Sequence, residues 1–419
     1  MIYNISDRPP IGKTILFAIQ MVLSVFVATV LIANICGVST SGALIGASLA
    51  TLTYIFITGS KSPMFLSNSG AFVAPVIFAL NLYGYLGVAL GGLTSCIIYC
   101  LFGFIFSKIS YEKVYKVFPP ALIGAVTVVI GINLMPFILS YVQINGDINN
   151  YGILVAFITM FVIALVSHYS KGIFKILPFL LGILAGYIVS IILTITNIYP
   201  IIDFSLFNGI HLIKMPDLAF MHWELTFGKY IPIIIMFAAY TVSAMMECLS
   251  DHAALGGIIN VDLYKNPGLS KIFIGEGVAN LVGTVFGGLG ICSYGEGVAC
   301  VGFSKVASIY VTITAAGILA LLGFLEPVQV FIASIPSCVF AGAAIILYGF
   351  IACSGIKMLQ KTNLNEQKNL IIVSSVLSLG ISGLVIGGKT ISFSATALAL
   401  IVGIVLNFIL KNRKENENV

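Results

Sequence analysis

Apolar residues run along this chain in blocks of about twenty, separated by short polar stretches, and that spacing predicts helices long enough to cross a bilayer. The blocks fall at 15–36, 41–59, 64–80, 84–107, 118–140, 152–168, 174–197, 230–250, 272–289, 291–304, 306–325, 328–352, 369–387 and 391–410. Read so, the chain is an all-α polytopic membrane protein of about fourteen transmembrane segments. The polar start, Met1–Lys13, precedes an apolar run too long for a signal-peptide core, so that run reads as the first span. Two blocks do not read as simple helices. In 64–80, Gly70 and Pro75 interrupt the run beside the polar residues Ser67, Asn68 and Ser69. In 287–304, glycines at 287, 288, 290, 295 and 297 interrupt it beside Cys292 and Ser293. One is the third span of the first half, the other the third of the second half. Interruptions at corresponding places point to a 7+7 inverted repeat with a site near the midplane.

Composition narrows the class. Hydrophobic residues make up 59% of the chain and charged residues 8%, against about a quarter charged in a soluble domain. A soluble globule is excluded, and the lipid bilayer is the first partner. The net charge of +5 is spread over loops with no basic patch interleaved with aromatics, which argues against nucleic acid. With both termini in the cytoplasm, Arg8, Lys13, Lys61, Lys108, Lys113, Lys116, Lys171, Lys175, Lys265, Lys271, Lys305, Lys357, Lys361, Lys368, Lys411, Arg413 and Lys414 fall inside. Only Lys214, Lys229 and Lys389 fall outside or at the outer interface, the bias expected of a cell-membrane (inner or plasma membrane) protein. The eight cysteines lie almost all in apolar stretches without a CxxC pair, and the four histidines are scattered, so no metal centre, disulfide or cofactor is expected. Small-residue spacings at Gly42/Gly46, Gly87/Gly91 and Gly182/Gly186 suit close helix packing.

The acids carry the chemistry. Glu247 and Asp251 lie four apart in one apolar stretch, on one helix face, and Glu296 lies in another. A carboxylate in hydrocarbon costs roughly 2.5–3.5 kcal/mol on insertion scales, and such residues usually line a substrate or proton path. Two neighbouring carboxyls can load and unload a proton as access alternates, so Glu247 and Asp251 are candidates for proton coupling, Asp251 also reading as a helix-end acid. Glu296 follows the Gly295 break, at the start of a half-helix whose free N–H groups and dipole suit an acid or a ligand. Glu276, with no break expected nearby, reads as structural, and His252, placed at the bilayer edge, reads as solvated or capping. Tyr294 and Tyr348 read equally as site hydroxyls or as interfacial anchors. No Lys or Arg lies deep in a span, so a free anion is poorly served. A flat neutral molecule with alternating N–H and C=O groups is well served, by carboxylates for its N–H groups and by backbone amides for its carbonyls. An intramembrane enzyme would need a deep His beside a nucleophile, or a metal cluster, and the sequence offers neither.

These residues lie in stretches that resemble the bacterial uracil permeases of the nucleobase/ascorbate transporter family, also called nucleobase:cation symporter-2. The resemblance runs through Ser6–Pro10, Phe65–Phe72, Glu247–Leu255, Asp262–Leu263, Asn266–Leu269, Tyr294–Glu296 and Leu347–Phe350. It implies short β-strands within the third and tenth spans. It implies a substrate-carrying core of spans one to four (1–110) and eight to eleven (228–325). The gate domain would be spans five to seven (111–227) and twelve to fourteen (326–419), where a homodimer would form. Glu247 and Glu296 would hold the base, the backbone at Gly70 and Gly295 would give amides, and Ala28, Tyr294 and Tyr348 would line the pocket. Movement of core against gate would carry uracil and a proton inward together. This chain departs from the pattern at Met21, Gly70, Ile291–Ser293, Gly297, Ala299 and Ser304–Lys305. The departures remove polar groups around Glu296 and enlarge the pocket, which keeps a xanthine or purine permease open. An anion exchanger or channel on the same architecture is the alternative of another class, and the two glutamates argue against it.

Overall fold

The structure, a computed structural model, describes residues 1–108, 119–144, 147–171, 174, 177–224, 230–360, 362–384, 386–387, 392–393 and 395–410. Of the cations that argued for the orientation, Lys113, Lys116, Lys175, Lys229, Lys361, Lys389, Lys411, Arg413 and Lys414 lie outside these residues. So do the domain boundaries expected at 110/111 and 227/228.

The apolar blocks fold as helices because a backbone in hydrocarbon must satisfy its own N–H and C=O groups. The first half holds α1 (Ile11–Ile35), α2 (Thr40–Ile57), strand β1 (Leu66–Asn68), α3 (Val73–Lys108), α4 (Pro120–Leu134), α5 (Pro136–Val142), β2 (Gln143–Ile144), β3 (Asp147–Ile148), α6 (Asn150–Tyr169) and α7 (Pro178–Ile195). The second holds α8 (Ile231–Ile259), α9 (Leu269–Phe286), β4 (Ile291–Ser293), α10 (Gly295–Ser304), α11 (Ile309–Phe324), α12 (Glu326–Ala333), α13 (Ser337–Leu359), α14 (Gln367–Ile381), β5 (Ile386–Gly387), β6 (Ser392–Phe393) and α15 (Ala395–Ile409). Among the described residues, eight helices are long and apolar enough to cross a membrane, and Pro120–Leu134, Ile309–Phe324, Gln367–Ile381 and Leu398–Ile409 are shorter apolar ones. The protein is a multi-pass membrane protein, mostly helical. Helices α4, α5 and α7 open on proline, whose missing N–H is one the first turn leaves unpaired anyway. The third and fourth expected spans meet inside α3 at a kink, where Gly84 takes φ 56°.

Two expectations are corrected. The block at 328–352 is two helices, α12 and α13, parted at Ser334–Pro336. Pro336 has no N–H to donate and disfavours helical geometry at Ile335. Helix α8 does not end near 250 but continues to Ile259, closed by Asn260 in the left-handed region at φ 56°. Asp251 therefore lies well inside the helix, about two turns before its end, and is not a helix-end group.

Helices α2, α3, α8 and α9 pack together, with α11 laid on α1 and α2. Helices α4, α6, α7 and α13 form a second group, joined by α14 and α15 through α4. The first group is held tight by bare backbone. A methyl on Gly46 would meet Gly283 O at 2.7 Å and Gly288 Cα at 2.8 Å. Backbone atoms cannot swing aside, so Gly46→Ala should force α2 away from α9, a cost on the order of 1–3 kcal/mol. The expected readout is a lower melting temperature in detergent than the parent; an equal one would mean that the two helices tolerate separation.

Candidate functional site

The interrupted segments meet. Strand β1 pairs antiparallel with β4 in the register Leu66↔Ser293, Ser67↔Cys292 and Asn68↔Ile291, and all six residues are buried. Non-helical backbone at this depth needs partners from elsewhere, and the neighbouring helices supply them. Thr51 Oγ1 of α2 donates to Leu66 O at 2.8 Å and accepts from Leu66 N at 3.1 Å. Asn280 Nδ2 of α9 donates to Ile291 O at 2.9 Å. Asn68 Oδ1 accepts from Leu289 N at 2.8 Å, and Gly290 O accepts from Ser69 N at 2.9 Å. Thr29 of α1 is hydrogen-bonded to Ser67 through their hydroxyls.

Glu276 completes this set. Both its carboxylate oxygens accept from Ser293 N at 3.1 Å. The sequence showed no break near Glu276; the fold brings the β4 break to it. Its anchoring role agrees with a structural reading, but the partner is the interrupted strand itself.

Glu247 projects from α8 to the point where the strands cross. Ser69 Oγ donates to Glu247 Oε2 at 3.3 Å, and Cys292 Sγ approaches the same oxygen at 3.5 Å. Ser69 also accepts from Ala71 N at 3.2 Å, so its hydroxyl is held by the turn that follows β1. Protein atoms crowd around Glu247, yet its side chain remains accessible, so it lines a crevice. On α8, Ser250, Ala254 and Gly257 continue the accessible stripe at helical spacing towards a cavity of about 380 Å³ at the helix end.

Asp251 lies one turn further along α8, half-buried, with Glu247, Glu296 and Glu276 in electrostatic range. A methyl on Gly295 would lie 3.7 Å from Asp251 Oδ1. Glu296 stands in the first turn of α10 and is half-buried, while Gly295 is exposed. Tyr294 is buried at the N-terminal cap of α10, and Ala28 is buried on α1 beside Thr29. Gly70 opens the short turn after β1 and is half-buried. The fold thus draws Glu247, Asp251, Glu296, Gly295, Tyr294 and Gly70 around the strand crossing. Tyr348 is placed otherwise: it is fully buried on α13, its hydroxyl has no hydrogen-bond partner among the described residues, and its titratable neighbours are Tyr141 and Cys36.

His252 is corrected too. It is not solvated at an edge but buried, with Nε2 against Tyr54 OH at 2.6 Å and Nδ1 against Cys248 O at 2.8 Å. Cys248, His252 and Glu276 have potential ligand atoms within 4.8 Å of one another. Both imidazole nitrogens are already hydrogen-bonded and Glu276 holds Ser293, so packing accounts for the cluster. Sequence reading had no motif for Thr51, Tyr54 or Asn280. Asn280 carried one signal, a polar residue one helical turn beyond Glu276 in an apolar run.

A model of the Permease family (Xan_ur_permease) matches residues 12–388. The chain belongs to that family. This permease is 29% identical to the uracil permease of Bacillus caldolyticus over 420 residues, 99% of this chain and 96% of that one. It is 32% identical to the uracil permease of Escherichia coli (strain K12), covering 97% and 94% of the two chains. The relatives are permeases, so it is a transport protein and not an enzyme. Its fold is similar to the transmembrane domain of the cyanobacterium bicarbonate transporter BicA, with TM-score 0.65 at 15% identity over 97% of this chain and 100% of that one. It is also similar to the murine anion transporter Slc26a9, with TM-score 0.71 at 10% identity over 96% and 69% of the two chains. At such identities the likeness concerns the fold alone.

Proposed function

We propose that this permease is a proton-coupled symporter importing a nucleobase, uracil first, across the cell membrane. The observation that carries the reading is Glu247: an accessible carboxyl in a crevice, at the crossing of two buried strands, in a chain whose relatives are named uracil permeases. A carboxylate accepts from the N–H groups of a flat heterocycle through charge-assisted bonds. Glu296, Gly295 and Gly70 offer further polar groups around the crossing, with Ala28 and Tyr294 behind them. Tyr348, fully buried on α13, would back the site from the gate side and not line the accessible crevice itself. Asp251, one turn from Glu247, would share the coupled proton.

A 7+7 inverted repeat is favoured by the antiparallel pairing of strands from corresponding spans. The two groups of packed helices favour a core of 1–110 with 228–325 and a gate of 111–227 with 326–419. Transport would follow movement of one group against the other, with both termini in the cytoplasm and the gate as the dimer face. The reading of another class is an anion exchanger or channel on the same architecture. Carboxyls at the crossing oppose it, because they would repel an anion.

The test is uptake of radiolabelled uracil into cells lacking their own permease. Uptake should be strong, should collapse on adding a protonophore, and should be competed by unlabelled uracil more than by xanthine. Uptake that ignores the protonophore removes proton coupling. Stronger competition by xanthine moves the substrate to purines.

A further inference from the structure

Gly70 faces a gap in the protein that one atom closes. A methyl placed on Gly70 would meet Ile351 Cδ1 at 2.8 Å and, chain neighbours aside, no other atom of the described residues within 4 Å. Ile351 belongs to α13, whose main packing partners are α4 and α6. Its terminal methyl therefore reaches from one group of helices to the turn after β1 in the other. That turn is the one whose Ser69 holds Glu247. Gly70 and Ile351 are both only half-buried, as expected of residues at the rim of an opening.

We propose that Ile351 is the size-selecting residue of the site: its Cδ1 fills the volume that the bare Gly70 leaves open and so limits the ring that can lie against Glu247. The inference rests on the nucleobase reading above. The physical argument is steric. Any side chain at Gly70 would occupy this space from the core side. With glycine there, the space is filled from the opposite side by a single aliphatic tip. Removing that tip should lengthen the pocket by about a methyl group. Pocket differences of one methylene discriminate by about 10–200-fold, enough to change which base is preferred. The contact also joins two groups of helices, so the pair should behave as one energetic unit.

The experiment is a double-mutant cycle on the full chain. Ile351→Val deletes only Cδ1, and Ile351→Ala deletes more. Gly70→Ala adds the clashing methyl, and the fourth protein combines Gly70→Ala with Ile351→Val. For each, KM and maximal rate for uracil, inhibition by xanthine, and melting temperature in detergent are measured. Ile351→Ala should improve xanthine inhibition relative to uracil by about tenfold or more, with Ile351→Val intermediate. Gly70→Ala should raise KM for uracil in the parent and recover most of that loss in the Ile351→Val background. A xanthine-to-uracil ratio unchanged in both Ile351 variants overturns the proposal, as does equal damage by Gly70→Ala in both backgrounds. Those results leave uracil uptake by the parent intact. Absence of nucleobase uptake in the parent would instead bring down the underlying reading, and this proposal with it.

Discussion

Glu247→Gln is expected to lower uracil uptake at least about tenfold and to abolish its response to a protonophore. The substitution keeps the shape of the side chain and one acceptor oxygen. It removes the charge and the ability to carry a proton. A hydrogen bond to a charged group contributes about 1.5–3 kcal/mol, which is roughly ten- to a hundredfold in affinity. The amide also brings an NH2 that cannot accept from Ser69 Oγ, the donor now 3.3 Å from Oε2. Because Glu247 lines an accessible crevice and anchors no backbone group among the described residues, the protein should fold with little change in melting temperature. Uptake and a thermal-shift titration with uracil measure the two sides separately. Parental uptake in Glu247→Gln would remove this residue from the transport cycle.

Glu276→Ala should instead destroy the folded protein. Glu276 accepts from the buried Ser293 N–H with both oxygens at 3.1 Å. Truncation leaves that donor unpaired, at about 1–3 kcal/mol. It also opens a cavity around a fully buried side chain, which adds to the loss. Strand β4 would then be tied to α9 through Asn280 and Ile291 O, without the hold on Ser293 that aligns Cys292 beside Glu247. The variant should elute as aggregate in detergent size-exclusion chromatography. Glu276→Gln keeps an acceptor oxygen for Ser293 N–H and should remain monodisperse. The contrast separates a backbone anchor from a substrate ligand: Glu276→Ala with the parental melting temperature would contradict the anchoring role, and Glu276→Gln with the parental fold but no uptake would assign Glu276 a part in transport.

Much of the membrane architecture is legible in local pattern. The interruptions at Gly70 and Gly295 stand out against apolar runs, and so do Glu247, Asp251 and Glu296. The helix ends were less legible. The split at Pro336 was hidden within a long apolar block, since hydropathy averages over a window and does not register one missing donor. The end of α8 was hidden because Ala253, Ala254, Gly256 and Gly257 are small residues that suit either a helix or a loop. His252 shows the same limit. A histidine after two acids looks like an edge residue, and only the approach of Tyr54 makes it a buried one.

What the chain's own pattern determined is which segments enter the bilayer and where ionisable groups are carried into it, because transfer out of water is settled nearly residue by residue. What only the tertiary structure decided is which distant groups meet. Leu66 opposite Ser293, Glu276 beneath Ser293, Ser69 and Cys292 at Glu247, and Ile351 against Gly70 are all contacts between separate segments. Each depends on the packing of several helices at once, and a linear pattern holds no record of that geometry.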